Sequence, residues 1–236
     1  MKFLHLNKLR VADPGKQLVL ILAATTFVAT FLVGLRIYLT GNLSFIFMVW
    51  NLFLAWIPFS ISFYMRSTAT RQRKWYLNLM LFVMWLAFFP NGPYILTDLV
   101  HLQPRHNIGF WYDMMILLFF CFNSLFLAFA SMIHMKRIID FFLKKWMSHL
   151  LILVIFSLTS LGIYIGRFQR YNSWDIITNP VNLIKDVSGL FLNAENDFRF
   201  VYMVFFLALF LIINYFTVIF LFNDMHQKET SHESKK

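Results

Sequence analysis

Six long apolar stretches recur along the chain, and each approaches or reaches the ~20 residues that a helix needs to cross a bilayer. They run from Gln17 to Leu39, from Leu43 to Met65 with Asn51 and Pro58 inside it, from Trp75 to Phe89, from Phe110 to Ile133, from Ser148 to Ile165 and from Phe200 to Phe222. The third is short. The pattern predicts an all-α polytopic membrane bundle of about six transmembrane helices. Residues 1–225 form its single domain, and residues 226–236 form a polar cytoplasmic tail.

Composition supports this reading. Hydrophobic residues make up 59% of the chain and charged residues 14%, and 30 residues are Phe. A soluble domain of this size has too little polar surface to cover so much apolar area. A soluble enzyme, a disordered chain and a nucleic-acid module are therefore excluded, and no nucleic acid is expected as a partner. The single cysteine, Cys121, lies in an apolar run and rules out an intramolecular disulfide framework or a Cys-rich metal site.

The formal net charge of +10 finds its cause in the membrane. With six spans both termini lie on one side. Fifteen Lys and Arg residues then fall on the side of the termini and six on the other. Cytoplasmic loops collect Lys and Arg, so both termini are expected in the cytoplasm. Lys2, Lys8, Arg10 and Lys16 precede a long first apolar run with no small-x-small cleavage site after it, which reads as an uncleaved first span.

The chemistry-bearing residues collect on the opposite, outer side. After Phe89 comes Pro90-Asn91-Gly92-Pro93, which should stop a helix, and a short helix is expected to restart at Tyr94. Tyr94, Thr97, Asp98 and His101 stand at i, i+3, i+4 and i+7, on one face of an α-helix. A polar stripe of this kind asks for a protein interior or a wet cavity. A restarted half-helix would aim free N–H groups into that cavity. Asp98 and His101 are spaced to share one divalent metal ion or one water, or to work as acid and base; the alternative is a simple hydrogen-bonded pair.

Three further groups face the same side. Asp113 follows Trp111-Tyr112 at the start of the fourth span, where it complements the helix dipole or joins the polar site. Gly162 and Gly166 near the end of the fifth span permit close helix packing, and Tyr164 and Arg167 are spaced to share a face. Then Arg170 leads into Asn172-Ser173-Trp174-Asp175, a dense set of an amide, a hydroxyl, an indole N–H and a carboxylate. Arg167 and Arg170 are suited to grip a phosphate or carboxylate, and equally to pair with Asp98, Asp113 or Asp175. Beyond them Leu183, Ile184, Val187, Leu190 and Phe191 recur at near-helical spacing around Lys185, Asp186 and Ser188, which predicts an amphipathic helix on the outer membrane face.

Three strings, Phe89 to Leu102, Trp111-Tyr112-Asp113, and Gly162 to Arg167 continued through Asn172-Ser173-Trp174-Asp175, together resemble the bacterial membrane family known as domain of unknown function thirteen-sixty-one. The resemblance covers roughly Val49 to Pro180. It implies a bacterial multi-spanning membrane protein and carries no activity with it.

Three functions fit these residues. An outer-face enzyme acting on a lipid or lipid-linked envelope intermediate would use Asp98, His101, Asp113 and Asp175 for catalysis. It would bind its ligand through Asn91, Tyr94, Thr97, Tyr164, Arg167, Arg170, Asn172, Ser173 and Trp174. A structural or assembly partner of another membrane protein would use the same groups as a stability network. A small-solute or ion-coupled transporter would use the broken span. The expected partners are the bilayer, its lipid head groups, or another membrane protein.

Overall fold

The computed structural model describes residues 14–67, 74–102, 109–192 and 198–233, and none of these is in a strand. The order is α1 (Pro14–Thr40), α2 (Ile46–Ser67), α3 (Trp75–Phe88), a single turn α4 (Asn91–Tyr94) continued as a 3₁₀ segment (Ile95–His101), α5 (Phe110–Phe142), α6 (Lys145–Tyr164) ending in a π turn (Ile165–Gln169), the single turn α7 (Asp175–Thr178), α8 (Pro180–Leu192) and α9 (Phe198–Glu233). Six helical stretches are long and apolar enough to cross a membrane. The last ends its apolar part at Leu221, but α9 stays helical to Glu233.

The central helix is α5, the most buried of the six. It packs along α2 and also touches α1 and α6, while α9 lies against α6. One packed group joins Val33 of α1, Phe45, Leu52 and Phe59 on or just before α2, and Ile116 and Phe120 of α5. A second joins Trp85 and Phe89 at α3 to Met132 of α5, Phe156 of α6 and Tyr215 of α9. Outside these cores large apolar side chains point away from the protein, among them Phe27 and Phe31 on α1 and Phe205, Phe206 and Ile213 on α9. Such a coat suits hydrocarbon, and in that solvent helix association rests on packing and hydrogen bonds. Two polar ties serve this purpose at depth. Asn123 of α5 donates to Thr26 Oγ1 (2.8 Å) and accepts from Thr25 (3.0 Å), and the Trp85 indole donates to Ser131 Oγ (2.8 Å).

The third span is longer than the sequence expectation, running from Trp75 through to His101, and the expected break lies within it. Phe89, Pro90 and Ile95 all keep right-handed helical dihedrals. What changes is the hydrogen bonding: Gly92 N–H bonds the Phe89 carbonyl (3.2 Å) and Tyr94 N–H the Pro90 carbonyl (3.0 Å). Pro90 and Pro93 have no N–H to leave open. The expected free N–H groups of a restarted half-helix are therefore absent at Gly92 and Tyr94; the span tightens into a 3₁₀ segment instead.

That tightening splits the predicted polar stripe. A 3₁₀ helix repeats every three residues, so Ile95, Asp98 and His101 stack in one column and Tyr94 and Thr97 in the next. Thr97 Oγ1 donates to its own Tyr94 carbonyl (2.7 Å).

Candidate functional site

Side chains from three spans, α2, the third span and α6, meet around the 3₁₀ segment. Asp98, buried on the 3₁₀ segment, accepts from Arg167 Nη1 (3.0 Å) on one oxygen and from Asn51 Nδ2 of α2 (3.1 Å) on the other. Arg167 Nη2 also donates to His101 Nε2 (3.0 Å), so that nitrogen is the unprotonated one. The His101 ring stands edge-on to Phe47 of α2. Arg167 thus lies between Asp98 and His101, the pair spaced for a metal ion. No group of three or more His, Cys, Asp or Glu side chains arranged to hold a metal occurs among the described residues.

Asp113 belongs to a different pair. Both its oxygens are taken by Arg36 near the end of α1, Nε to Oδ1 at 2.7 Å and Nη2 to Oδ2 at 3.2 Å. The Arg36 guanidinium also lies over the Phe45 ring, 4.3 Å from its centre. The partner of Asp113 is therefore neither Arg167 nor Arg170. Sequence reasoning counted Arg36 only as an outer charge, although a cation inside an apolar span is itself a signal of a buried partner.

Asp175 is used locally. It accepts from the Asn172 N–H (2.6 Å) and from Thr178 Oγ1 (3.0 Å), which shapes the turn leading into α7. The Tyr164 ring packs on Phe168 and edge-on against Phe200 of α9. A π turn holds more residues per turn than an α-helix, so the i, i+3 face expected for Tyr164 and Arg167 is lost where the π turn begins.

The glycines of α6 bring the break close. A Cβ on Gly162 would stand 3.1 Å from Pro90 Cγ, and one on Gly166 3.3 Å from the Tyr94 ring. Between α2, α3, α6 and the chain after the π turn this packing leaves a cavity of about 520 Å³. Its wall is apolar, with Leu54, Val83, Leu86, Ala87 and Leu158, and Leu183 reaches in from α8. Its rim is polar, with Asn51, Asn91, Tyr94, Arg170, Asn172, Ser173 and Trp174. Asn91 Nδ2 donates to Ser173 Oγ (2.9 Å) and to the Phe88 carbonyl (2.9 Å), which fastens the rim to the break. No carboxylate and no imidazole among the described residues lines this space.

Arg170 is the unusual member. Its φ of 61° and ψ of 30° are left-handed, and it is the one non-glycine residue with positive φ among the described residues. It is exposed, and no carboxylate pairs with it among the described residues.

The helix expected at the outer face is α8. Leu183, Val187, Gly189 and Leu190 are its half-buried positions, while Ile184 and Phe191 remain exposed beside Lys185, Asp186 and Ser188. Tyr171 donates to Asp186 (2.8 Å), which links the rim to α8, and burial is slight there. The bond to that carboxylate pushes the Tyr171 phenol above its ordinary pKa.

Residues 50–213 match the family model described as "Protein of unknown function (DUF1361)". The match reaches beyond the three motif strings to take in α8 and part of α9. No curated protein and no solved structure matches the chain.

Proposed function

The chain belongs to the DUF1361 family, which brings no activity with it, and we propose that it holds an amphiphile, a lipid or lipid-linked envelope intermediate, in the cavity beside the break. One observation carries this: the same cavity of about 520 Å³ is apolar along α2, α3 and α6 and polar at its rim. Its volume lies in the range of small-molecule sites, ~300–1,000 Å³. In the reading proposed here the protein sits in a bacterial cytoplasmic membrane with both termini in the cytoplasm, supported by the excess of Lys and Arg on their side. The cavity then opens toward the outer leaflet, with α8 lying over it as an interfacial helix.

Holding the lipid comes before chemistry on it. Asp98, Asp113 and Asp175 each have both oxygens occupied by donors from the protein. An enzyme acting on the same lipid is the second reading. It is favoured by His101, an exposed imidazole whose Nε2 accepts from Arg167 and whose Nδ1 therefore carries the proton. A divalent metal between Asp98 and His101 would need Arg167 to move aside.

The test is lipid retention. The full chain is purified in a neutral detergent beside Leu158→Trp, which puts an indole into the cavity from an exposed position on α6. Mass spectrometry of the extracted lipids is expected to give a defined amphiphile in the wild type and several-fold less in the variant. Equal retention by a folded Leu158→Trp protein refutes the reading.

A further inference from the structure

We infer that the amphiphile carries a phosphate-type anion and that Arg170 is the cation that receives it; this rests on the amphiphile reading of the cavity. The two arginines after Gly166 have separate fates. Arg167 is consumed by Asp98 and His101. Arg170 lines the cavity with no carboxylate beside it among the described residues. Among the described lining residues the cavity therefore has one fixed positive charge and no acidic group that balances it.

The neutral groups around it are donors. Ser173 Oγ already accepts from Asn91, so its own hydrogen is left to give. Tyr94 and Trp174 line the same space, and neither the Tyr94 hydroxyl nor the Trp174 indole N–H has a protein acceptor among the described residues. A guanidinium fork with three neutral donors asks for more acceptor atoms than the two oxygens of a carboxylate. A phosphate supplies them in compact form.

The backbone at Arg170 argues in the same direction. A left-handed residue closing a helical turn is ordinarily glycine, because a Cβ there is strained. Arg170 pays that strain, and nothing the backbone does at this point requires an arginine. The side chain is what the position supplies.

The experiment titrates the full chain in maltoside micelles with dioctanoyl phosphatidic acid, dioctanoyl phosphatidylcholine and inorganic phosphate, read by native mass spectrometry. One phosphatidic acid per chain is expected to saturate, with affinity about tenfold or more above that for phosphatidylcholine. Arg170→Gln and Arg170→Gly are expected to remove that preference, and Arg170→Gly to melt no lower than the wild type. Equal binding of both lipids, unchanged in Arg170→Gln, overturns the anion inference and leaves the amphiphile reading standing. Phosphatidic acid that accumulates without saturation, in wild type and variants alike, overturns it too, since Arg170 then meets only bulk head groups. Inorganic phosphate binding as tightly as phosphatidic acid, and lost in Arg170→Gln, overturns the amphiphile reading and makes free phosphate the ligand. Failure of all three to bind overturns both.

Discussion

Arg36 of α1 and Asp113 of α5, 77 positions apart, close a two-pronged ion pair with both side chains buried. The pair pins the outermost turn of α1 to the start of the central helix. Deleting one partner strands the other charge in a low-dielectric site, which costs about 3–5 kcal/mol. Arg36→Ala and Asp113→Ala are each expected to lower the melting temperature sharply. Arg36→Met combined with Asp113→Leu is expected to regain most of the loss, because apolar groups need no counter-charge. Thermal unfolding of the three variants in detergent checks this. A double variant no better than the singles would show that the pair acts through something other than its charge.

Arg167 has a comparable burden with a different geometry. Arg167→Ala leaves the buried Asp98 with Asn51 as its remaining side-chain donor and is expected to cost about 3 kcal/mol. Arg167→Lys is expected to recover only part, since an ammonium is a point charge and cannot reach Asp98 and His101 with separate prongs. Unfolding midpoints of the two variants, measured with lipid retention, decide the role. A variant as stable as wild type that has lost its lipid would move Arg167 from the supporting network into the binding site.

These pairs mark where sequence reasoning reached its limit. The six spans were readable because apolar length alone defines them. The polar residues of the site end were also readable one by one, since each stands out in an apolar chain. Their pairing was not. Asp113 found its partner in Arg36, which sits far away in sequence and had passed for an outer charge. The grouping of Tyr94, Thr97, Asp98 and His101 assumed a period of 3.6, and the 3₁₀ segment imposes three. The shared face of Tyr164 and Arg167 failed because a π turn begins between them. Helix type after a proline pair, and at a helix end, is decided by packing against neighbours such as Gly162 and Gly166, which no local pattern reveals.

Gly92 gives a steric test of that packing. A Cβ there would stand 2.9 Å from the Ala128 Cβ of α5, and 3.4 Å from the Ser124 carbonyl oxygen. Neither neighbour is the end of a flexible chain, so the break must shift as a unit. Gly92→Ala is expected to destabilise by about 1–3 kcal/mol, the usual cost of overpacking. Gly34 in α1 has nothing within 4 Å of its would-be Cβ. Gly34→Ala is therefore expected to be neutral or to stabilise by up to about 1 kcal/mol through helix propensity. A comparison of unfolding midpoints reads both, and equal behaviour of the two variants would refute the close contact at the break.

The Tyr171–Asp186 bond predicts how the cavity rim responds to alkali. The protonated phenol donates to the carboxylate, and ionising it would set two anions face to face, so its pKa lies above the ordinary 10.0. A folded-state pKa raised in this way stabilises the protonated form. The link to α8 is then complete below the ordinary tyrosine pKa and is lost as pH rises through the raised one. Absorbance of tyrosinate, taken as the difference between wild type and Tyr171→Phe, is expected to show one phenol titrating late. Asp186→Asn should return that phenol toward its usual range, because an amide oxygen accepts the hydrogen bond without a negative charge. An unchanged titration in Asp186→Asn would mean that the phenol does not feel this carboxylate, and that α8 is held by its apolar contacts, such as Phe191 edge-on against Phe200 of α9.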